Sequence, residues 1–129
     1  MAADPVFGAT PRHGTARLTA ANTSYDGSTT TNFVDIITGS ANGAKVTQIT
    51  VQPLVTTTAG NVRIFIHDGT NYRLLRAIPI PAYTVAAGTP PLAIEWSPQN
   101  LILPTASWKL TAATYNAESF DVHAEVLDA

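Results

Sequence analysis

The side chains in this sequence that could do chemistry are few and far apart. Three histidines, His13, His67 and His123, show no HxH, HxxxH or HExxH spacing, so no metal site is encoded locally. The chain has no cysteine, which excludes a disulfide framework, thiolate chemistry and a cysteine-based zinc site. His67 precedes Asp68 and Gly69 and so suggests part of a triad. Neighbours along a strand point to opposite faces, however, and no GxSxG elbow supplies a nucleophile. Asp35, Glu95, Asp121 and Glu125 could pair across strands like the two carboxylates of a glycosidase. Nothing marks any two of them as buried together, and the simpler reading is that they solubilise outward faces. Tyr25, Tyr72, Tyr83 and Tyr115 each lie near a turn and could stack on sugar rings. Trp96 and Trp108 alternate in phase with Ile94 and Leu110 and are core residues first. The segment Tyr25-Asp26-Gly27-Ser28 holds one acid where a calcium loop needs several. The expectation is a protein that is not an enzyme and carries neither cofactor nor metal.

Composition narrows the partners. The 129 residues suit one domain, large enough to bury a core without metal or disulfide staples. The net charge is -2 and only 12% of residues are charged, about half the usual share of roughly 25%. A surface so poor in charge is covered by a partner or rich in Thr, Ser and Asn. The seven basic residues are scattered, which argues against a stripe that tracks phosphates and hence against direct nucleic-acid binding. No apolar stretch approaches the length of a membrane span, and MAADPVFGATPRHG lacks the basic start and apolar run of a secretory signal. The expected location is therefore the cytoplasmic side.

The elements that must position these side chains read as strands. Val62, Ile64 and Ile66 alternate with Arg63, Phe65 and His67, a period-two pattern with two differently filled faces. Asp68-Gly69-Thr70-Asn71 is a tight turn, in which Gly69 tolerates positive φ and Asp68 can bond nearby backbone. Tyr72 to Ile80 returns as a second strand, and Pro79 and Pro81 favour an edge or an exit from the sheet. Further strands are expected at Thr15 to Ala21, Phe33 to Thr38 and Lys45 to Thr57, the last with a bulge near Thr47-Gln48 and an edge or bend at Pro53. After a loop from Ala82 to Pro91 come segments around Leu92 to Trp96, Leu101 to Leu103, Trp108 to Ala112, and Phe120 to Val126. Tyr115-Asn116-Ala117-Glu118 predicts a second hairpin between the last two. The sum is an all-β antiparallel β-sandwich, jelly-roll-like, with roughly eight or nine strands. Its core is led by Val51, Val62, Ile64, Ile66, Trp96, Leu110, Phe120 and Val122. Residues 15–129 form this sandwich and residues 1–14 an extended N-terminal arm, with Pro5 and Pro11 turning their neighbours away from helix. The arm is either disordered or pinned to a neighbouring molecule through Val6 and Phe7.

Two segments carry a resemblance. TTTAGNVRIFIHDGTNYRLLRAIPIP, with WKLTAATYNAESFDVHAEVLDA near the C-terminus, resembles small virion proteins of tailed phages. Those proteins show variants of TTAG-x-VR-x-F-x-x-DGT-x-x-x-LL-x-E-I and L-x-A-x-x-x-NAE-x-F-x-V. The matches here are Thr57 to Gly60, Val62, Arg63, Phe65, Asp68 to Thr70, Leu74, Leu75 and Ile78, then Leu110, Ala112, Asn116 to Glu118, Phe120 and Val122. Ala77 stands where that pattern has an acid. The resemblance implies a structural protein of the virion, made in the host cytoplasm and resident on the capsid surface. By analogy with jelly-roll decoration, or cement, proteins, it implies a homotrimer that binds the major capsid protein and stabilises the head. A tail component (tube, connector or fibre subunit) is the alternative, and a glycan- or receptor-binding module on the virion is the third. The contact residues expected on this reading are Pro5, Val6, Phe7, Pro11 and Arg12 in the arm, with Tyr25 and Tyr83 at loop tips.

Overall fold

The computed structural model describes residues 10–90 and 92–129. In chain order the strands are β1 (Thr10–Leu18), β2 (Val34–Thr38), β3 (Ala44–Pro53), β4 (Gly60–His67), β5 (Tyr72–Ile80), β6 (Ile94–Trp96), β7 (Leu101–Leu103), β8 (Lys109–Thr114) and β9 (Phe120–Asp128). The first sheet runs β1-β9-β3-β6, with β7 also paired to β3, and the second runs β2-β8-β4-β5. All pairings between these strands are antiparallel. β6 and β7 lie end to end along β3, separated by a break at residues 97–100 that ends on Asn100 at φ 56°. Together they fill one place, so each sheet has four places. The chain changes sheet at every connection except β4 to β5 and the β6–β7 break. That strand order is a jelly roll.

Alternation explains the filling. Val46, Ile49, Val51, Phe120, Val122, Ala124 and Val126 face inward from the first sheet, and Val62, Ile64, Leu110 and Ala112 from the second, all at most 1% exposed. Burying a side chain of this kind contributes about 1.5–3 kcal/mol, so this double layer dominates stability. Ile66, Trp96 and Trp108 pack against the core from its margins and are only partly buried. The bulge near Thr47 appears as a register shift between Val46 and Gln48 against β9, which restores the inward phase of Ile49. A second shift, between Ile64 and Phe65 against β5, bends the edge hairpin.

Two expectations are corrected, the start of the first strand and the second hairpin. The first strand begins at Thr10, so residues 10–14 belong to the sandwich and not to the arm. β1 is an edge strand, where Pro11 is tolerated, and its inward phase continues back through Ala16 to Gly14. Residues 1–9, including Pro5, Val6 and Phe7, lie outside the described residues. Pro53 ends β3 opposite Phe120, beyond the reach of β6, and the chain bends at residues 54 and 55 directly after it, as expected. Tyr115 to Glu118 joins β8 to β9 across the two sheets, so no hairpin forms there. Arg63 and Phe65, on the outward face of β4, are fully buried beneath the β1–β2 connection.

Candidate functional site

The expected contact residues that the structure describes, Pro11, Arg12, Tyr25 and Tyr83, are spread over separate parts of the fold. Pro11 and Arg12 lie on β1. The Arg12 guanidinium is bound within the chain: Nε donates to Asp128 Oδ2 at 2.6 Å, and Nη2 donates to Asp128 Oδ1 and to the Thr38 carbonyl, each at 2.9 Å. It therefore ties β1 to β9 and to the end of β2. Tyr25 lies over the second sheet. Tyr83 sits in the β5–β6 connection, bridged to Thr57 through two backbone hydrogen bonds, with its hydroxyl donating to the Pro90 carbonyl at 2.9 Å. In the β4–β5 turn, Asp68 Oδ1 accepts from the Thr70 and Asn71 amides at 2.9 and 2.8 Å, and Gly69 has φ 95°. Those amide hydrogen bonds hold the Asp68 carboxyl below its usual range.

The outer face of the first sheet brings together groups that are more than one hundred residues apart in sequence. Pro11, His13, Thr15 and Arg17 line β1, and Asp121, His123, Glu125 and Leu127 line the same face of β9. Arg17 meets Asp121 in a two-pronged ion pair at 2.7 and 3.0 Å. Hydrogen bonding from Arg17 lowers the Asp121 carboxyl pKa against the smaller opposing effect of burial. Beside it, His13 Nε2 and His123 Nδ1 are 2.9 Å apart, with ring centroids 5.1 Å apart and planes inclined at 54°. A shallow depression of about 410 Å³ lies against His123 and the Arg17–Asp121 pair. Another, of about 320 Å³, lies against His13, Arg12 and Glu125. Among the described residues no group of three or more His, Cys, Asp or Glu is gathered tightly enough to hold a metal ion. The period-two spacing of polar residues in both segments was visible in the sequence; their pairing and register were not.

The outer face of the second sheet is covered by residues 19–33. Phe33 stacks on Phe65 at 4.6 Å and meets the edge of Tyr72 at 5.2 Å. The Arg63 guanidinium lies 4.9 Å from the Tyr25 ring centre and donates to the Ser24 carbonyl. Burial lowers the Arg63 pKa. Asn22 organises the cover: its amide nitrogen donates to the carbonyls of Thr29 and Thr31 at 2.9 and 2.7 Å, and its side-chain oxygen accepts from the Ser24 amide. Asp26 accepts from the Ser28 hydroxyl and amide and from the Ser24 hydroxyl, which brings its pKa down to about 2. Of the four tyrosines, Tyr25 has one ring face against Arg63 and its hydroxyl hydrogen-bonded to Asn61, and Tyr72 is packed between His67 and Phe33. Tyr25 and Tyr115 are still substantially exposed.

The two segments that carry the phage resemblance meet at one end of the sandwich. Glu118 Oε2 accepts from the Thr58 amide and hydroxyl at 2.9 and 3.2 Å, and Asn116 Nδ2 donates to Thr58 Oγ1 and the Ala59 carbonyl at 3.1 and 3.3 Å. The Tyr115 amide donates to the Asn61 carbonyl at 3.0 Å. A side chain at Gly60 would collide with the Asn116 amide. The TTAG and NAE signatures thus form a clasp between the β3–β4 and β8–β9 connections, and the matched Val62, Ile78, Leu110, Ala112, Phe120 and Val122 lie in the core. This part of the resemblance is explained by the fold's own bonding.

No protein-family model matches this sequence, and no curated protein shows significant similarity to it. Solved structures align with this chain at low identity. A pentameric capsid protein isolated from metagenomic phage sequences aligns over 89% of this chain at 16% identity and a TM-score of 0.42; the chain spans 61% of that protein's length. The capsid asymmetric unit of cyanophage Pam1 aligns over 100% of this chain and 94% of its own, at 17% identity and a TM-score of 0.43. Infectious bursal disease virus, Gx strain, aligns over 94% of this chain and 33% of its own, at 14% identity and a TM-score of 0.32. These are likenesses of fold alone, and the jelly-roll assignment rests on the strand order.

Proposed function

We propose that the protein is a structural component of a tailed-phage virion, a decoration or cement protein that binds the major capsid protein and stabilises the head shell. The observation that carries this reading is the jelly roll with its interior filled: the space between the sheets is occupied by Val46, Ile49, Val51, Val62, Ile64, Leu110, Phe120 and Val122. Jelly rolls serve in viral shells, in lectins and in cupins. A filled interior leaves the outer faces and loop ends as working surfaces, which suits a part that acts by contact. The low charge supports burial on assembly, and repeated modest contacts on a symmetric shell add through multivalency. A homotrimer at a threefold site is the preferred assembly, by analogy with jelly-roll decoration proteins. Residues 1–9, with Val6 and Phe7, are assigned the role of an arm that contacts a neighbouring copy or the shell, and burial of each of the two side chains would contribute about 1.5–3 kcal/mol before ordering costs.

Gold-labelled antibody against the protein, applied to intact particles, tests the placement. Label on the head supports the cement reading, and label confined to the tail transfers the protein to the tail tube, connector or fibre. A chain lacking residues 1–9 should keep its fold, because β1 begins at Thr10, and should decorate empty heads more weakly. Undiminished decoration would remove the arm from the contact. Binding on a glycan array would favour the receptor module.

A further inference from the structure

We propose that the outer face of the first sheet binds one late first-row divalent metal ion, Cu²⁺ in preference to Zn²⁺, between His13 Nε2 and His123 Nδ1. The fold builds this pair although the sequence separates its members. β1 and β9 run in unbroken register from Thr10 opposite Asp128 to Leu18 opposite Phe120, so both histidine backbones are fixed on rigid elements. His13 stands opposite Glu125 and His123 opposite Thr15, which makes the two imidazoles diagonal neighbours on one face. Their facing nitrogens are 2.9 Å apart. Two nitrogens at that spacing, each about 2.0–2.1 Å from one ion, subtend roughly a right angle at it, which is the cis angle of tetragonal Cu²⁺. Opening the pair to about 3.3 Å gives the tetrahedral angle that Zn²⁺ takes.

With centroids 5.1 Å apart the rings face each other nearly head-on and share a hydrogen bond, one nitrogen donating and the other accepting. Ion binding needs the donor ring to move its proton to its other nitrogen and both exposed rings to turn so that their lone pairs converge. No proton is lost overall from two neutral rings. The neighbouring charges permit a cation: Asp121 is paired with Arg17, Arg12 is paired with Asp128, and Glu125 stands beside His13 on the same face. Water completes the coordination sphere, since the site opens onto the two depressions on either side.

The test is calorimetric titration of the untagged full chain with Cu²⁺ and Zn²⁺, together with electron paramagnetic resonance of the Cu²⁺ complex. The expected result is one ion per chain, tighter for Cu²⁺ than for Zn²⁺, with two imidazole nitrogens in the spectrum. His13→Ala and His123→Ala should each weaken binding by at least about tenfold and leave one such nitrogen. Both positions are on the outer face, and an unchanged thermal midpoint without metal verifies the fold of each variant. His67→Ala, on the other sheet, should bind as the parent does. A parent chain that binds neither ion, either variant binding with undiminished affinity, or a loss in His67→Ala equal to that in the other two overturns the proposal.

Discussion

Gly14→Ala separates three accounts of the chain's start by the sign of its effect. A position in a loose arm is indifferent to an added methyl. An ordinary strand glycine gains from it, by about 0.5–1 kcal/mol, because alanine has less backbone freedom to lose on folding. The structure predicts the opposite sign. Gly14 pairs with Ala124 and packs against β2, and a Cβ there would press into the Ile36 carbonyl oxygen and stand 2.7 Å from Ile37 Cβ. Carbon atoms pack at about 3.5–4.0 Å, so β1 and β2 must separate by roughly 1 Å. Both Ile36 and Ile37 are buried, and neither the carbonyl nor a Cβ can rotate aside. Overpacking of this kind costs about 1–3 kcal/mol. For a domain of this size each kcal/mol moves the thermal midpoint by roughly 3–4 °C, giving a fall of roughly 3–12 °C. Thermal unfolding followed by circular dichroism measures it. A midpoint equal to or above that of the parent would refute both the close approach and the start of β1 at Thr10.

The remaining predictions concern the turn, the clasp and acid. Gly69→Val should lower stability by roughly 1–3 kcal/mol; the added Cβ would be only 3.6 Å from Ser107 atoms, an ordinary contact, so the loss arises from φ 95°. Denaturant midpoints check it. Asn116→Ala removes two hydrogen bonds to the Thr58–Ala59 segment and should cost about 1–2 kcal/mol, with faster amide exchange at residues 57–61 as the local readout. Asp26, Asp68 and Asp121 all titrate below the ordinary carboxylate range in the folded chain, Asp26 at about 2. Their contribution is therefore complete above roughly pH 4 and is lost as the pH falls through the folded values. Thermal midpoints should drop from about pH 4 toward pH 2, and Asp26→Asn should flatten that slope.

The parts of this fold legible in the sequence are those set by local pattern. Alternating residues from Val62 to His67, a turn at Asp68-Gly69 and a bulge at Thr47 are each written within a few neighbouring positions. The sheet assignments were harder to read. A turn signature at Asn116 looks the same whether the chain reverses within one sheet or steps to the other, and here it steps across, held by Thr58 and Ala59 from the opposite connection. Likewise, the outward phase of β4 gives no sign that residues 19–33 fold back over Arg63 and Phe65, because the only large apolar side chains of that cover are Tyr25 and Phe33.

The same distinction governs where function is found. Two of the groups that the sequence placed in the arm belong to the sandwich: Arg12 is bound to Asp128 and Pro11 sits in a paired strand. The groups it set aside as isolated are brought together: His13 and His123 touch, and Arg17 grips Asp121 two register positions beyond His123 on the same face. In a jelly roll the first and last strands are neighbours, so outward side chains near the two ends of the sandwich domain share a face. Spacing searches along the chain look for sites within single loops or helices. In this topology the productive search pairs outward residues of β1 with those of β9, position by position, and the polar surface it uncovers is the one whose substitution leaves the core untouched.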